Sequence, residues 1–399
     1  MAVIELRVSG NVRRAASPRT TSDPRHPDPG RMRARRRCPD PLAPTGGHPW
    51  GVHDPRPARA WHVRCCALGP VIQSFHPVSQ SSRAHDRVSA WLVGTGLAGF
   101  ATIGAALLVV RAATWPGRAP LLALLVVAQG LWMYRLYVIA HEAVHGKLFP
   151  RAGRLNDAAA TLLLSPLAAP LAVYRKVHHF HHGSNRKDDR HAALDHLHMR
   201  PGAGPLARAY KRAVWLFYVF LGGFFLHSLA TIVIFLVIPT PLASRIDPVF
   251  LRWSPGARLR AWLQFLVALA LHLTVALTLG GPAWKLIFGA PLLVFAWLWS
   301  LLLYVYHYGT SVGAEVRYNV RALPRQPLLS WLLLNFNEHV THHVDPSIPW
   351  YLLPARKVVL PARFSANQDV DSLWQAVWQQ RRGPILCTRP AAPGQKKAP

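Results

Sequence analysis

Three short histidine-rich stretches hold the side chains of this chain that are best suited to chemistry. The first reads His141, Glu142, Ala143, Val144, His145, Gly146. On a helix a spacing of four sets both imidazoles on one face, where they can reach a single metal ion. The second runs from Tyr174 to Gly183 and places His178 one helical turn before His181, with His182 adjacent, so that the group can serve two metals. His179 points away on such a turn and is left out of the expected ligand set. The third, from Asn337 to His343, repeats the spacing with His339, His342 and His343. Recurrence of HxxHH at two distant places argues against an accidental histidine-rich loop. His307, alone at the end of an apolar run, is added as a ninth ligand because it falls on the same side of the apolar body as the other eight.

Ligand type alone does not choose the metal, since imidazoles suit iron, zinc and copper. Ligand count narrows it, because eight or nine histidines exceed what one ion coordinates and fit two. The local His-Glu-x-x-His resembles a zinc-protease pattern, but such a site uses three protein ligands and an open position. Two adjacent redox-active irons can jointly reduce dioxygen, which zinc cannot do. Ligating histidines must be neutral and usually donate their second N–H to an acceptor. Glu142, Asp188, Asp189, Glu338 and Asp345 are the nearby carboxylates, with Glu142 and Asp189 the first choices.

The elements that must position these groups are apolar. Val88 to Val110, Leu121 to Ala140, Trp215 to Ile238, Ala261 to Leu279 and Leu286 to Tyr306 each approach the ~20 residues that span a bilayer. Ala158 to Val173, broken by Pro166 and Pro170, suits a re-entrant or interfacial piece. Ligands that meet at one site must lie on one face of the membrane, so one of the five long runs cannot cross. Gly280, Gly281 and Pro282 form a turn short enough for a hairpin between the last two runs. Arg245, Arg252, Arg258 and Arg260 place the loop before them on the cytoplasmic side. Trp215 to Ile238, with Gly222 and Gly223 at its middle, is then the run that lies in the interface or dips in and returns. The expected fold class is an all-α integral membrane protein. It has four transmembrane helices, cytoplasmic termini and a cytoplasmic cap of histidine boxes, in a bacterial-type inner membrane.

Half of the 399 residues are hydrophobic, and the formal net charge is +29. The arginines sit mainly in the N-terminal stretch and in loops, which suits an anionic leaflet, and no basic, aromatic-interleaved module for nucleic acid is present. Cys38, Cys65, Cys66 and Cys387 all lie outside the apolar body, which excludes thiolate ligation in the core and a disulfide scaffold. Residues 1–87, rich in Arg and Pro, are expected to form a disordered tail, or to precede a true start further downstream. No secretory signal is expected. Residues 88–383 form the membrane di-iron domain, and 384–399 a flexible C-terminal tail.

With these boxes in hand, the chain resembles the membrane fatty acid desaturase superfamily from about Leu121 to Pro354. The resemblance rests on HEAVHG from His141, HxxHH from His178 with Asp188 and Asp189 following, and NEHVTHHVDPSIPWYLLP from Asn337. His307 matches an additional ligand of stearoyl-type members. The resemblance implies two irons held by His141, His145, His178, His181, His182, His307, His339, His342 and His343, with O2 as co-substrate. It implies a fatty acyl lipid entering a tunnel beside the irons and leaving with a new double bond. It also implies electrons from a separate ferredoxin or b-type cytochrome. Leu303 replaces the asparagine that stearoyl-type members carry one turn before the extra histidine, and Asn335 and Asn337 are the candidate substitutes. The first box equally fits carotenoid ketolases and hydroxylases of the same superfamily. A non-catalytic membrane carrier and a membrane zinc hydrolase are the readings from other classes.

Overall fold

The computed structural model describes residues 83–188, 196–199 and 204–388. Residues 1–82, most of the expected tail, and 389–399 lie outside the described residues. The first helix, α1 (Arg83–Ala112), takes in the last five residues of the expected tail. Its first turn is anchored: His85 Nε2 lies 2.6 Å from the Lys147 carbonyl and Nδ1 lies 2.8 Å from the Tyr351 hydroxyl. A carbonyl only accepts, so Nε2 carries the proton and Nδ1 accepts from Tyr351.

Four helices are long and apolar enough to cross a membrane: α1, α2 (Arg118–Val144), α8 (Pro255–Thr278) and α9 (Gly281–Leu303). Between them come α3 (Gly153–Leu164), α4 (Leu171–Ser184), α5 (Pro205–Phe220), α6 (Gly223–Val237) and α7 (Thr240–Ile246). Then follow α10 (Pro327–Leu332), α11 (His339–Val344) and α12 (Leu373–Gln379). The described residues are predominantly helical, in keeping with the all-α expectation, with one short strand pair besides. A strand, β1 (His196–Met199), pairs in parallel with β2 (Ile385–Thr388), with His196 opposite Ile385. That pairing also gives structure to the start of the segment expected to be a flexible C-terminal tail.

Both interrupted apolar runs are bent. The run containing Trp215 to Ile238 breaks between α5 and α6 at an angle of 85°. Gly222 takes φ +84°, and a Cβ on Gly223 would stand 2.7 Å from the Tyr218 Cα, so neighbouring glycines are what let the chain turn there. The run from Ala158 to Val173 breaks between α3 and α4 at 97°. Pro166 opens a 3-10 turn, Ala168 takes φ 49° and Pro170 precedes α4, so the helix cannot continue. Neither run forms one straight helix, in keeping with the expectation for each.

The helices α2 and α9 form the inner pair, burying about half of their apolar windows, whereas α1 and α8 leave most of theirs exposed. Small residues allow the inner pair to approach closely. A Cβ added at Gly130 of α2 would stand 2.6 Å from Val294 Cβ and 2.8 Å from the Pro291 carbonyl of α9. Helix α8 packs across α3 and α4, where Gln264 Oε1 accepts from Ala172 N at 2.9 Å and His272 bridges Ser165 O and Trp284 Nε1.

This close crossing is testable by substitution. Gly130→Ala gains about 1 kcal/mol of helix propensity but incurs the ~1–3 kcal/mol of overpacking against a backbone carbonyl and a branched Cβ. Gly94→Ala on α1 gains propensity alone, because nothing lies within 4 Å of its added Cβ. Thermal unfolding in detergent should therefore show a lowered midpoint for the first variant and an unchanged or raised one for the second.

Candidate metal centre

Nine histidines from four separated segments converge in two groups. His141, His145, His178, His182 and His342 form one, and His181, His307, His339 and His343 the other, with the ligand atoms of each within 4.8 Å of one another. Helix α2 ends at Val144, so His141 lies in its last turn and His145 at its C-cap. Helix α4 presents His178 and His182 to the first group and His181 to the second. Helix α11 divides likewise, with His342 in the first group and His339 and His343 in the second. His307 sits in the turn after α9, where His307 N donates to Tyr304 O at 3.0 Å. The groups adjoin: the His182 and His343 rings stack at 4.3 Å. His179 is exposed and belongs to neither group, as its helical position predicted.

The distances within each group fit a cation better than hydrogen bonding. His178 Nε2 lies 2.9 Å from the Nε2 atoms of His141, His145 and His182 alike. An imidazole nitrogen offers one proton or one lone pair in its plane, so it satisfies one such neighbour and not three. Two nitrogens bound at right angles to one ion, each about 2.1 Å away, are about 3.0 Å apart, which is the spacing seen. Similar separations join His182 to His342 at 3.0 Å, His307 to His339 at 3.1 Å and His181 to His343 at 3.3 Å. Burial pushes His145, His307, His339, His342 and His343 below the ordinary imidazole range, and neighbouring imidazoles push in the same direction. They are therefore neutral, as metal ligation requires.

The residues around the ligands differ in part from expectation. Glu142 accepts from Lys147 Nζ at 2.8 Å and from Trp350 N at 3.0 Å, while its nearest oxygen is 3.9 Å from His141 Nδ1. Lys147 Nζ also donates to Ile348 O at 3.0 Å. The carboxylate thus ties the first box to the Pro-Trp segment after the third, and no hydrogen bond joins it to an imidazole. Asn337 Nδ2 donates to Glu338 Oε1 at 3.2 Å, and Asn335 Nδ2 to Trp350 O at 3.2 Å, so these hydrogen bonds likewise go elsewhere than the ligands. Asp189 lies outside the described residues. Among the described residues, Nδ1 of His339 and His343 is buried without a hydrogen-bond partner. Aromatic packing holds His339 instead, with Tyr306 and Phe336 each 4.5 Å from its ring.

Two arginines that spacing did not single out fix the ligand-bearing segments. Arg175 donates to Val144 O and Ala143 O at 3.2 and 3.0 Å and pairs with Asp157 at 2.7 Å. It meets the last carbonyls and negative pole of α2 between His141 and His145. Arg186, just past the second box, is buried and donates to Ser311 O, Thr310 O and the Tyr304 hydroxyl, gripping the loop that carries His307. The signal was weak, since each is one basic residue beside a box. His227 and His272 lie outside both groups, within hydrogen-bond reach of Tyr218 and of Ser165 and Trp284 respectively, as expected of interior polar groups.

A cavity of about 160 Å³ opens directly onto both groups. His141 and His178 of the first and His181, His307 and His339 of the second line it. Its walls are mainly apolar and aromatic, including Tyr137, Val173, Trp299, Leu302 and Leu303, with Ser228, Thr231 and Asn185 as polar points. The residue in the place of the stearoyl-type asparagine, Leu303, is therefore part of the cavity wall.

A helical body with apolar helices and a doubled histidine centre beneath an apolar cavity defines the class as one that could bind metal next to a hydrophobic substrate. The family model for fatty acid desaturase matches residues 113–370, and the chain belongs to that family. A search of curated proteins finds no match.

The Glu142–Lys147 pair is almost wholly buried, so removing one partner strands a charge. Lys147→Met should lower stability by about 3–5 kcal/mol, with the double variant Glu142→Gln, Lys147→Met recovering much of that loss. A thermodynamic cycle from chemical unfolding in detergent checks this, and independent, additive effects would count against the tie.

Proposed function

We propose that the chain is a membrane di-iron enzyme that introduces a double bond into a fatty acyl lipid. The observation carrying this reading is the pair of histidine groups facing one apolar cavity. One iron would be held by His141, His145, His178, His182 and His342, and the other by His181, His307, His339 and His343. Bound there, the two irons would activate dioxygen for the reaction R–CH2–CH2–R′ + O2 + 2 e⁻ + 2 H⁺ → R–CH=CH–R′ + 2 H2O.

The chain's own share is positioning and exclusion of water. An acyl chain in the cavity lies against Tyr137, Trp299 and Leu303, and this wall decides which carbons rest beside the histidines. Ser228, Thr231 and Asn185 supply the few polar contacts that would set depth. The four long helices cross the bilayer, and the arginines before α8, among them Arg245 and Arg252, put that end in the cytoplasm of a bacterial-type cell. The histidine centre lies on the same side, and a separate ferredoxin or b-type cytochrome supplies the electrons.

Two measurements test the reading. Expression in a desaturase-deficient host should yield a new double bond in the acyl profile, and a carotenoid product in its place would overturn it in favour of a ketolase or hydroxylase. Iron analysis of purified protein should find two ions per chain. His178→Ala and His307→Ala, in different groups, should each lower that content and abolish turnover. Zinc at full occupancy with activity independent of a reductant would sink the di-iron assignment, and lipid binding without any dioxygen-dependent turnover would favour a carrier.

A further inference from the structure

A second concave site opens on the surface away from the acyl cavity. It has a volume of about 450 Å³ and is lined by Arg212, Gln375, Trp378, Gln379, Arg381 and Arg382. Three of these six are arginines and none is a carboxylate. Arg212, Trp378, Arg381 and Arg382 are exposed, and Trp374 on the same helix is exposed as well. Arg381 lies over the Trp378 ring at 3.8 Å, and Arg212 Nη2 donates to Arg381 O at 3.3 Å, so the basic wall is braced.

The floor of this site leads inward to a histidine of the second group. Gln380, between the lining residues Gln379 and Arg381, accepts through its carbonyl from Trp215 Nε1 at 2.8 Å. The Trp215 ring meets Tyr304 with centroids 5.7 Å apart, and Tyr304 meets His307 at 5.9 Å. Trp215, Tyr304 and His307 are all buried. One hydrogen bond and two ring contacts therefore connect the basic surface to His307.

We propose that this Arg212–Trp378–Arg381–Arg382 face docks a small acidic one-electron carrier, and that Gln380, Trp215 and Tyr304 form the packed route from it to the metal centre. This rests on the di-iron reading and assigns the entry point for its electrons. Each encounter oxidises the carrier by one electron and reduces the metal centre by one, so two encounters supply the two electrons in the equation above. The side chains along the route are neither oxidised nor reduced; they replace a gap with continuous packing through which the electron tunnels. Charge complementarity selects an acidic carrier, because clustered arginines steer a negative partner and exposed Trp side chains add contact area at the centre of the face.

The test uses the iron-loaded full chain in nanodiscs of neutral lipid, with a reduced acidic [2Fe–2S] ferredoxin as probe. Charge reversal at two exposed positions, Arg381→Glu with Arg382→Glu, should slow metal reduction by ferredoxin roughly tenfold at low salt and remove most of its salt dependence. Reduction by dithionite, which needs no docking, should proceed equally in both proteins. A ferredoxin-driven rate that is the same before and after charge reversal would overturn the proposal. So would a variant that keeps that rate while losing binding to anionic phosphatidylglycerol vesicles, since the face would then read lipid headgroups. Direct titration of ferredoxin binding separates this from the functional reading. If no reducible metal is taken up, the di-iron reading fails, whereas weakened ferredoxin binding in the variant still supports the docking face.

Discussion

Everything in this fold answers to one constraint: nine imidazole nitrogens must be held in two adjoining groups, those of each within 4.8 Å of one another, neutral, inside an apolar body. Taken singly, a buried polar group without a partner is costly, and two nitrogens face-on repel unless a proton or a cation lies between them. Each group therefore has to be fixed from outside, by the elements that carry it. No single helix can do so, because a helix face presents only residues three or four apart. The chain meets the demand by ending or bending helices at the centre: α2 stops at Val144, α4 starts after the sharp break at Ala168, and α9 gives way to the turn that carries His307.

The charged residues near the centre serve that purpose and are spent on backbone. Arg175 fills the carbonyl end of α2, Arg186 grips the loop around Thr310, and Glu142 with Lys147 clamps the segment from Ile348 to Trp350. In each case a cation or carboxylate that a histidine might have engaged is committed to main-chain groups and to other side chains. The imidazoles are left with neutral surroundings such as Phe336, Tyr306 and Tyr304. Burial of this kind keeps them unprotonated, and unprotonated nitrogens are the ones free to bind metal.

What the sequence made legible was local. Spacings of three and four showed that each HxxHH could serve two metals and set His179 aside, because a helix converts spacing into direction, while sidedness in the membrane admitted His307. Neighbouring glycines and prolines marked both bent runs. What stayed hidden depended on partners far along the chain. Arg and Pro around His85 suggest a disordered stretch, yet Tyr351, 266 residues away, fixes it. Glu142 was read as an acceptor for an imidazole because it adjoins one. A helix turns adjacent residues about 100° apart, so the carboxylate faces Lys147 and Trp350 instead.

The least legible part was the stretch after the last histidine box, which carries no ligand and yet holds one in place. Tyr308, next to His307, donates to Gly383 O at 2.7 Å, and Arg321 joins Tyr308 O to Asp369. Gly383 takes φ +86°, a conformation open to glycine, and so brings the chain back under Trp215 and Tyr308. Tyr304 lies at the centre of this arrangement: it lines the apolar cavity, packs on His307 and faces Trp215. A single turn after α9 thus borders the apolar cavity, the histidine group and the Trp215 ring at once. That explains why residues beyond the third box are folded onto it so tightly. Loosening any of the three contacts would move His307, the one member of its group that stands alone in the sequence.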